Sequence, residues 1–351
     1  MAILFLYLGA FLIFVFSLKI KNKEDASILD KNFSNSLKTL FIFLIVLSHI
    51  LGALSYNGVL SKPLALFRFA MGQMCVTPFF LISGFGLFEG YKKYGNSYNK
   101  KVFLNHFLKI LMFTAICLVP YLIYDLLVNG TKPFYVYPLA FIGLTNLGNQ
   151  NWFIFAILFV YLFTFLVGLL KIKNNYWNLL IITLGCVAYI VAFRLLGYGS
   201  YWYDTILAFP VGILFSINKA KIEKWLSKKS VPIILFFVSI ILYVLWKLLC
   251  EKFAIIRDFH ALYSLPLIVF VSIGIVCASK IFTARNNLLV FFGINSWPLF
   301  LMHMLPILLL KPLGMNDSVF YILSFVASLV LSIPFALLFK LIEKKIFKRF
   351  A

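Results

Sequence analysis

Apolar runs about twenty residues long, each sufficient to cross a bilayer as a helix, follow one another along the whole chain with only short polar connections between them. They fall near 3–19, 37–56, 72–90, 103–127, 152–170, 178–196, 202–217, 231–249, 262–279, 288–310 and 318–340, about eleven in all. The 202–217 run is short, and residues 134–147 read as a re-entrant or interfacial segment. With 63% apolar and 12% charged residues, and a mean hydropathy of +1.00, a soluble domain is excluded. The expected fold is all-α, a polytopic transmembrane helix bundle.

The charge pattern gives the bundle an orientation. When alternate connections after the first span are taken as cytoplasmic, residues 19–38, 92–109, 171–173, 219–229, 280–285 and 340–349 together hold 24 of the 32 lysines and arginines. Cytoplasmic connections retain such an excess, so the N-terminus is expected outside and the C-terminus in the cytoplasm. The net charge of +21 then needs no nucleic acid, because basic residues on one side fix topology and attract anionic membrane lipids. The five cysteines lie in or beside apolar runs without close pairing, which points to neither a disulfide framework nor a metal site. Residues 1–20 lack the basic start and small-residue cleavage site of an export signal and read as a retained first helix.

One histidine, His49, sits inside the apolar run LKTLFIFLIVLSHILG at 37–52. An ionisable group at that depth marks a functional site, or else a neutral ring hydrogen-bonded to a neighbouring helix. Eleven helical steps separate it from Lys38, about three turns, so both side chains leave nearly the same face roughly 16 Å apart along the axis. A second histidine, His303 in FLMHMLP, is expected near the same depth, where it either binds an acceptor or packs between helices. Pro298 and Pro306 are placed to kink its helix and free backbone carbonyls for other partners. No carboxylate lies in the His49 helix, so whatever orients that ring must come from another span or from backbone.

Two stretches assigned to the non-cytoplasmic side are rich in rings and amides, TNLGNQNW at 145–152 and GYGSYWYD at 197–204. Asn151, Trp152, Tyr201, Trp202 and Asp204 could stack on and hydrogen-bond a sugar, and an interfacial aromatic belt accounts for the rings equally. In TPFFLISGFGLFEGY at 77–91, Gly84 and Gly86 permit close helix approach, and Ser83 can bond across helices. Glu89, Asp125, Asp204 and Asp258 lie near span ends and read as solvated or interfacial. The chain has no nucleophile elbow, paired-histidine zinc helix or phosphate-binding loop.

The order of Lys38, ten intervening residues and His49, then FFLISGF, FLNHFLKI, NWFIFAILFVYLF and FFGINSWPLFLMHMLP resembles the membrane acyltransferase-3 family, nearest its sugar O-acetyltransferase branch, the fucose 4-O-acetylase-like proteins. The resemblance covers about 35–345 and leaves 1–20 as an extra N-terminal helix on a ten-helix core. It implies transfer of an acyl group, most often acetyl, from a cytoplasmic acyl-CoA to a hydroxyl on a glycan or lipid-linked sugar. Acetyl-CoA would be a cosubstrate, with no permanently bound cofactor and no metal. The family's arginine before the histidine is Lys38 here, and its basic pair at the start of the fourth span is His106 and Lys109. Lysine keeps the charge and loses the two-pronged grip on phosphate. By this resemblance Lys38, His106 and Lys109 would meet the donor in the bacterial cytoplasmic membrane. From chemistry alone, moving an acyl group from a thioester to an alcohol needs a base, and a neutral imidazole suits His49 to that task. The competing class is a transporter or flippase of lipid-linked sugars, which would carry inverted repeats, and none is visible.

Overall fold

The computed structural model describes residues 2–21, 27–54, 62, 64–65, 67–68, 72–228, 230–253, 260–284 and 286–346. Asp258, together with the basic residues Lys23, Lys229, Arg257, Arg285, Lys348 and Arg349, lies outside them.

Among the described residues, eight helices are long and apolar enough to cross a membrane, and Ala2–Ser17 and Ala208–Ile217 are shorter apolar helices. One of the eight is a helical stretch of 52 residues, Thr77–Val128. It holds two of the expected spans, and Gly95, at φ 59°, breaks it between them. We label α1 (Ala2–Ser17), β1 (Leu18–Ile20), α2 (Lys31–Ala53), α3 (Thr77–Tyr94), α4 (Tyr98–Lys101), a π-helical turn (Val102–Leu108), α5 (Lys109–Val128), α6 (Val136–Phe141), α7 (Trp152–Leu169) and α8 (Asn175–Leu195). There follow α9 (Ala208–Ile217), α10 (Lys219–Trp225), α11 (Ser230–Lys252), α12 (His260–Ile281), β2 (Phe282–Ala284), α13 (Asn287–Ile294), α14 (Ser296–Met302), α15 (Met304–Leu310) and α16 (Asp317–Lys345). Among the described residues the protein is all-α apart from one short antiparallel ribbon, β1 with β2. Within the 134–147 segment the backbone forms the single short helix α6.

The long helix α2 occupies the middle of the bundle, with nearly every residue from Phe33 to Leu51 buried or half-buried. Its start is fixed by Asp30, whose side chain accepts from the backbone N–H of Phe33 at 3.0 Å and pairs with Lys21 at 2.6 Å. The Lys21 ammonium also donates to the carbonyls of Ser27 and Ser279, which ties the end of α1 to α2 and α12. On its far side α2 meets α13 closely: the Thr39 hydroxyl donates to the Leu289 carbonyl, and a Cβ on Gly293 would strike the Asn35 carbonyl. Glycines do the same for α3 and α9, where a Cβ on Gly84 would strike the Phe209 carbonyl and one on Gly212 that of Leu81. In lipid, where burial of apolar surface gives helices no reason to associate, such backbone approach supplies the packing energy.

The 288–310 run, expected as one span, is instead three short helices, α13 to α15. Pro306 removes one backbone N–H from the ladder. A side chain opens another step of it: the buried Tyr121 hydroxyl of α5 donates to the Leu301 carbonyl at 2.8 Å and accepts from the Leu305 N–H at 3.1 Å. Those two groups would bond each other in an uninterrupted helix. An inserted hydroxyl is a recognised cause of a kink, and here it satisfies both groups that the kink releases. His303 sits at the break.

Candidate active site

The two buried histidines meet. His49 Nδ1 lies 2.7 Å from His303 Nε2, and the rings stack with centroids 4.9 Å apart. On the other side of His303, Nδ1 lies 2.7 Å from the carbonyl oxygen of Phe300, one turn earlier. A carbonyl can only accept, so this nitrogen carries the hydrogen. In a neutral His303 the Nε2 must then accept, and the hydrogen between the rings belongs to His49 Nδ1. The consequence is that His49 Nε2 carries the free lone pair. Backbone thus performs, through a second histidine, the orienting task that a carboxylate performs elsewhere.

The surroundings hold this arrangement in place. His303 is fully buried, and its own carbonyl accepts from Ser328 Oγ of α16 at 3.1 Å, a hydroxyl shared with the Ser324 carbonyl at 2.7 Å. His49 is half-buried and faces a cavity of about 310 Å³, within the size range of small-molecule sites. Ser48, Arg68, Gln150, Trp152, Tyr201 and Phe300 line it with His49. Trp152 and Tyr201 stand edge to face, 6.2 Å between centroids and 74° between planes, forming two walls at a right angle. Gly52, one turn beyond His49, leaves room for the Arg68 guanidinium, which a Cβ at that position would meet. Tyr7 of α1 also lines the cavity, with Ser48. The cavity therefore offers a base, a cation, an amide and two aromatic faces, a set that can seat a polyhydroxylated ring and remove one of its protons.

The other residues picked out from sequence lie elsewhere. Lys38 is half-buried on α2, eleven residues before His49, and does not line the cavity. His106, on the π-helical turn, shares a 3.2 Å hydrogen bond through Nε2 with the Tyr98 hydroxyl and packs against the Tyr161 ring at 5.2 Å. Tyr161 in turn lies beside Ser83, so Ser83 and His106 belong to one tyrosine-lined cluster. Lys109 pairs with Glu343 near the end of α16 at 2.7 Å.

On the aromatic side, Asn151 is buried and donates to the carbonyls of Ala140 and Thr145, holding the turn before α7. Trp202 packs on Phe193 and Tyr198, while its carbonyl accepts from the Tyr189 hydroxyl. Asp204 is buried in the turn before α9, and burial pushes its carboxyl up to about 7 against an opposing hydrogen bond from Ser200. Asn151, Trp202 and Asp204 therefore line no part of the His49 cavity, and their neighbours Gln150 and Tyr201 do.

Arg68, Gln150, Tyr7 and Ser48 were not singled out by sequence. A signal existed for Arg68, one of only eight basic residues outside the connections assigned to the cytoplasm. Among the described residues, no group of three or more His, Cys, Asp or Glu side chains is placed to hold a metal ion.

Comparison with known proteins gives one match. The profile described as an acyltransferase domain, Acyl_transf_3, matches residues 31–341, most of the chain and all of the elements from α2 to α15. No curated protein and no solved structure matches it.

Proposed function

This chain belongs to the acyltransferase-3 family of membrane acyltransferases, and from that premise we propose that it moves an acetyl group from acetyl-CoA to a sugar hydroxyl, with His49 as the base. The observation that carries the reading is the His49–His303–Phe300 arrangement, which leaves a lone pair on His49 Nε2 at a cavity walled by Trp152 and Tyr201.

In this mechanism the acceptor hydroxyl donates its hydrogen to His49 Nε2 as its oxygen attacks the thioester carbonyl. The carbon–sulfur bond then breaks, and the proton held on Nε2 passes to the departing thiolate. The imidazolium formed between these steps keeps its Nδ1–H on His303 Nε2, a charge-assisted hydrogen bond that strengthens as the charge develops. Trp152 and Tyr201 stack the sugar, and Gln150 bonds its other hydroxyls. The donor's phosphates lie toward the lysine-rich membrane side, which we assign to the cytoplasm of a bacterial cell. There Lys38 is the first basic group below His49 on the same face, roughly 16 Å along the axis. Lys109 joins the donor only by releasing Glu343, and His106 supports that region through Tyr98. The acceptor is a glycan of the cell envelope or its lipid-linked precursor.

The test uses full-length protein purified into nanodiscs and given acetyl-CoA labelled in the acetyl group. The wild type releases coenzyme A and transfers label to a base-labile ester on added envelope glycan. His49→Ala, equally folded, does neither. Equal turnover by the two proteins would remove His49 from the chemistry.

A further inference from the structure

We infer that a groove beside the cavity holds the hydrocarbon tail of the acceptor, so that the acceptor is a lipid phosphate carrying its sugar at the head. This rests on reading the His49 cavity as the acceptor site.

The groove encloses about 450 Å³ between α1, α2, α11 and α12, and almost no polar surface faces it. Its relation to the cavity is set by one face of α2. Leu37, Leu40 and Phe41 line the groove, while Leu44, Ile45, Ser48 and His49 line the cavity. Steps of three and four residues put all seven on a single stripe, roughly 18 Å long. A matching stripe runs along α1 and into β1, where Tyr7 lines the cavity and Phe11, Phe14 and then Leu18 the groove. Met74 faces the groove, and the next residue, Cys75, faces the cavity. The two spaces are thus stacked end to end along the same helices, polar above and apolar below. The ribbon closes the lower end, because Leu18 of β1 and Phe282 of β2 both border the groove.

Three features choose the occupant. The first is the near absence of polar lining, which suits a plain hydrocarbon chain and leaves the amides of a pantetheine arm unsatisfied. The second is Arg68, in the polar half, which makes no ion pair among the described residues. A guanidinium there matches a phosphate joining tail to sugar. The third is α1, which lies before the matched family region yet supplies one whole wall. That wall lies outside the matched region and is held at its lower end by the ribbon.

The experiment uses wild-type protein in nanodiscs and a long-chain alkyl phosphate bearing a diazirine in the middle of its chain. After irradiation, adducts are located by mass spectrometry, with unlabelled decaprenyl phosphate as competitor. The expected adducts fall on the groove residues of α1, α2, α11 and α12 and disappear with competitor. Ala278→Trp, which fills the groove, abolishes them. Arg68→Gln weakens competition by the phosphate about tenfold while leaving that by the corresponding alcohol unchanged.

Adducts spread over the outward faces of α5, α8 and α16 and indifferent to competitor would overturn the inference, and this wild-type map decides even if Ala278→Trp does not fold. Acetyl-CoA turnover is read separately on the same sample. Groove labelling without turnover supports the tail site and strikes at the acetyl-transfer reading; turnover without groove labelling does the reverse.

Discussion

Among the described residues two histidines are half-buried, His49 and His106, and their surroundings differ in one decisive respect. His49 has one nitrogen engaged by His303 while the ring faces a cavity. His106 has its Nε2 taken by the Tyr98 hydroxyl and its ring packed on Tyr161, and it does not line the His49 cavity. Position inside an apolar run is common to both. What separates a candidate base from a packing histidine is an oriented lone pair with space in front of it.

The largest effect should come from exchanging the two. His49→Ala is expected to lower kcat by about 10²- to 10⁴-fold, the usual contribution of a positioned base. His106→Phe should leave kcat nearly unchanged and act on the donor KM, as a group that helps binding alone would. A kcat loss at His106 equal to that at His49 would erase the contrast.

His303→Ala comes next. It leaves His49 in place without its orienting partner, so kcat should fall about 10²-fold with the acceptor KM nearly constant, the signature of misplacement. An unchanged kcat would mean that the His49 ring is held by packing alone.

Tyr121→Phe tests the break in the helix that presents His303. It orphans a buried carbonyl and a buried N–H at Leu301 and Leu305, and should cost about 1–3 kcal/mol, seen as a lower Tm in nanodiscs. A variant as stable as wild type would show that the kink needs no inserted hydroxyl.

A smaller effect belongs to the aromatic side. The folded-state pKa of Asp204, about 7, lies above its ordinary value of 3.8, so the folded protein holds this proton more tightly than the unfolded chain does. Its contribution to stability is complete below about pH 4 and is lost as pH rises through 7. Asp204→Asn should therefore flatten the decline of Tm between those values, and an unaltered slope would assign the decline to other groups.

Lys109→Gln should do least to stability, about 0–1 kcal/mol, because its pair with Glu343 is partly exposed. A large drop in Tm would show the α5–α16 contact to be a structural tie. A raised donor KM at constant Tm would bring Lys109 into donor binding.

Much of the bundle was legible because lipid imposes a simple rule: a helix must be about twenty apolar residues long, and the sequence counts them out. Each expected span has a helical counterpart, and the exception in form, 288–310, broke where Pro298 and Pro306 gave notice. The partner that made the break tolerable, Tyr121, lies some 180 residues away in the chain and left no local trace. The aromatic stretches showed the right neighbourhood and only part of its membership. Of the five residues named there, Trp152 and Tyr201 line the cavity while Asn151, Trp202 and Asp204 are turned into the protein, and Gln150, not named, lines it too. In such irregular turns adjacent side chains diverge, and no period predicts which one faces inward.

The sequence by itself determined the all-α membrane architecture, the unusual position of His49 and the register that puts Lys38 beneath it, because helix pitch and bilayer thickness act on residues near each other in the chain. Only the tertiary structure decided that His303 reaches His49, that the Phe300 carbonyl sets the tautomer of both rings, and that α1 and the ribbon turn one stripe of α2 into a polar cavity above an apolar groove. Those are contacts between helices far apart in the chain, and helix packing in lipid, governed by close backbone approach and a few hydrogen bonds, is not written in the period of any single one.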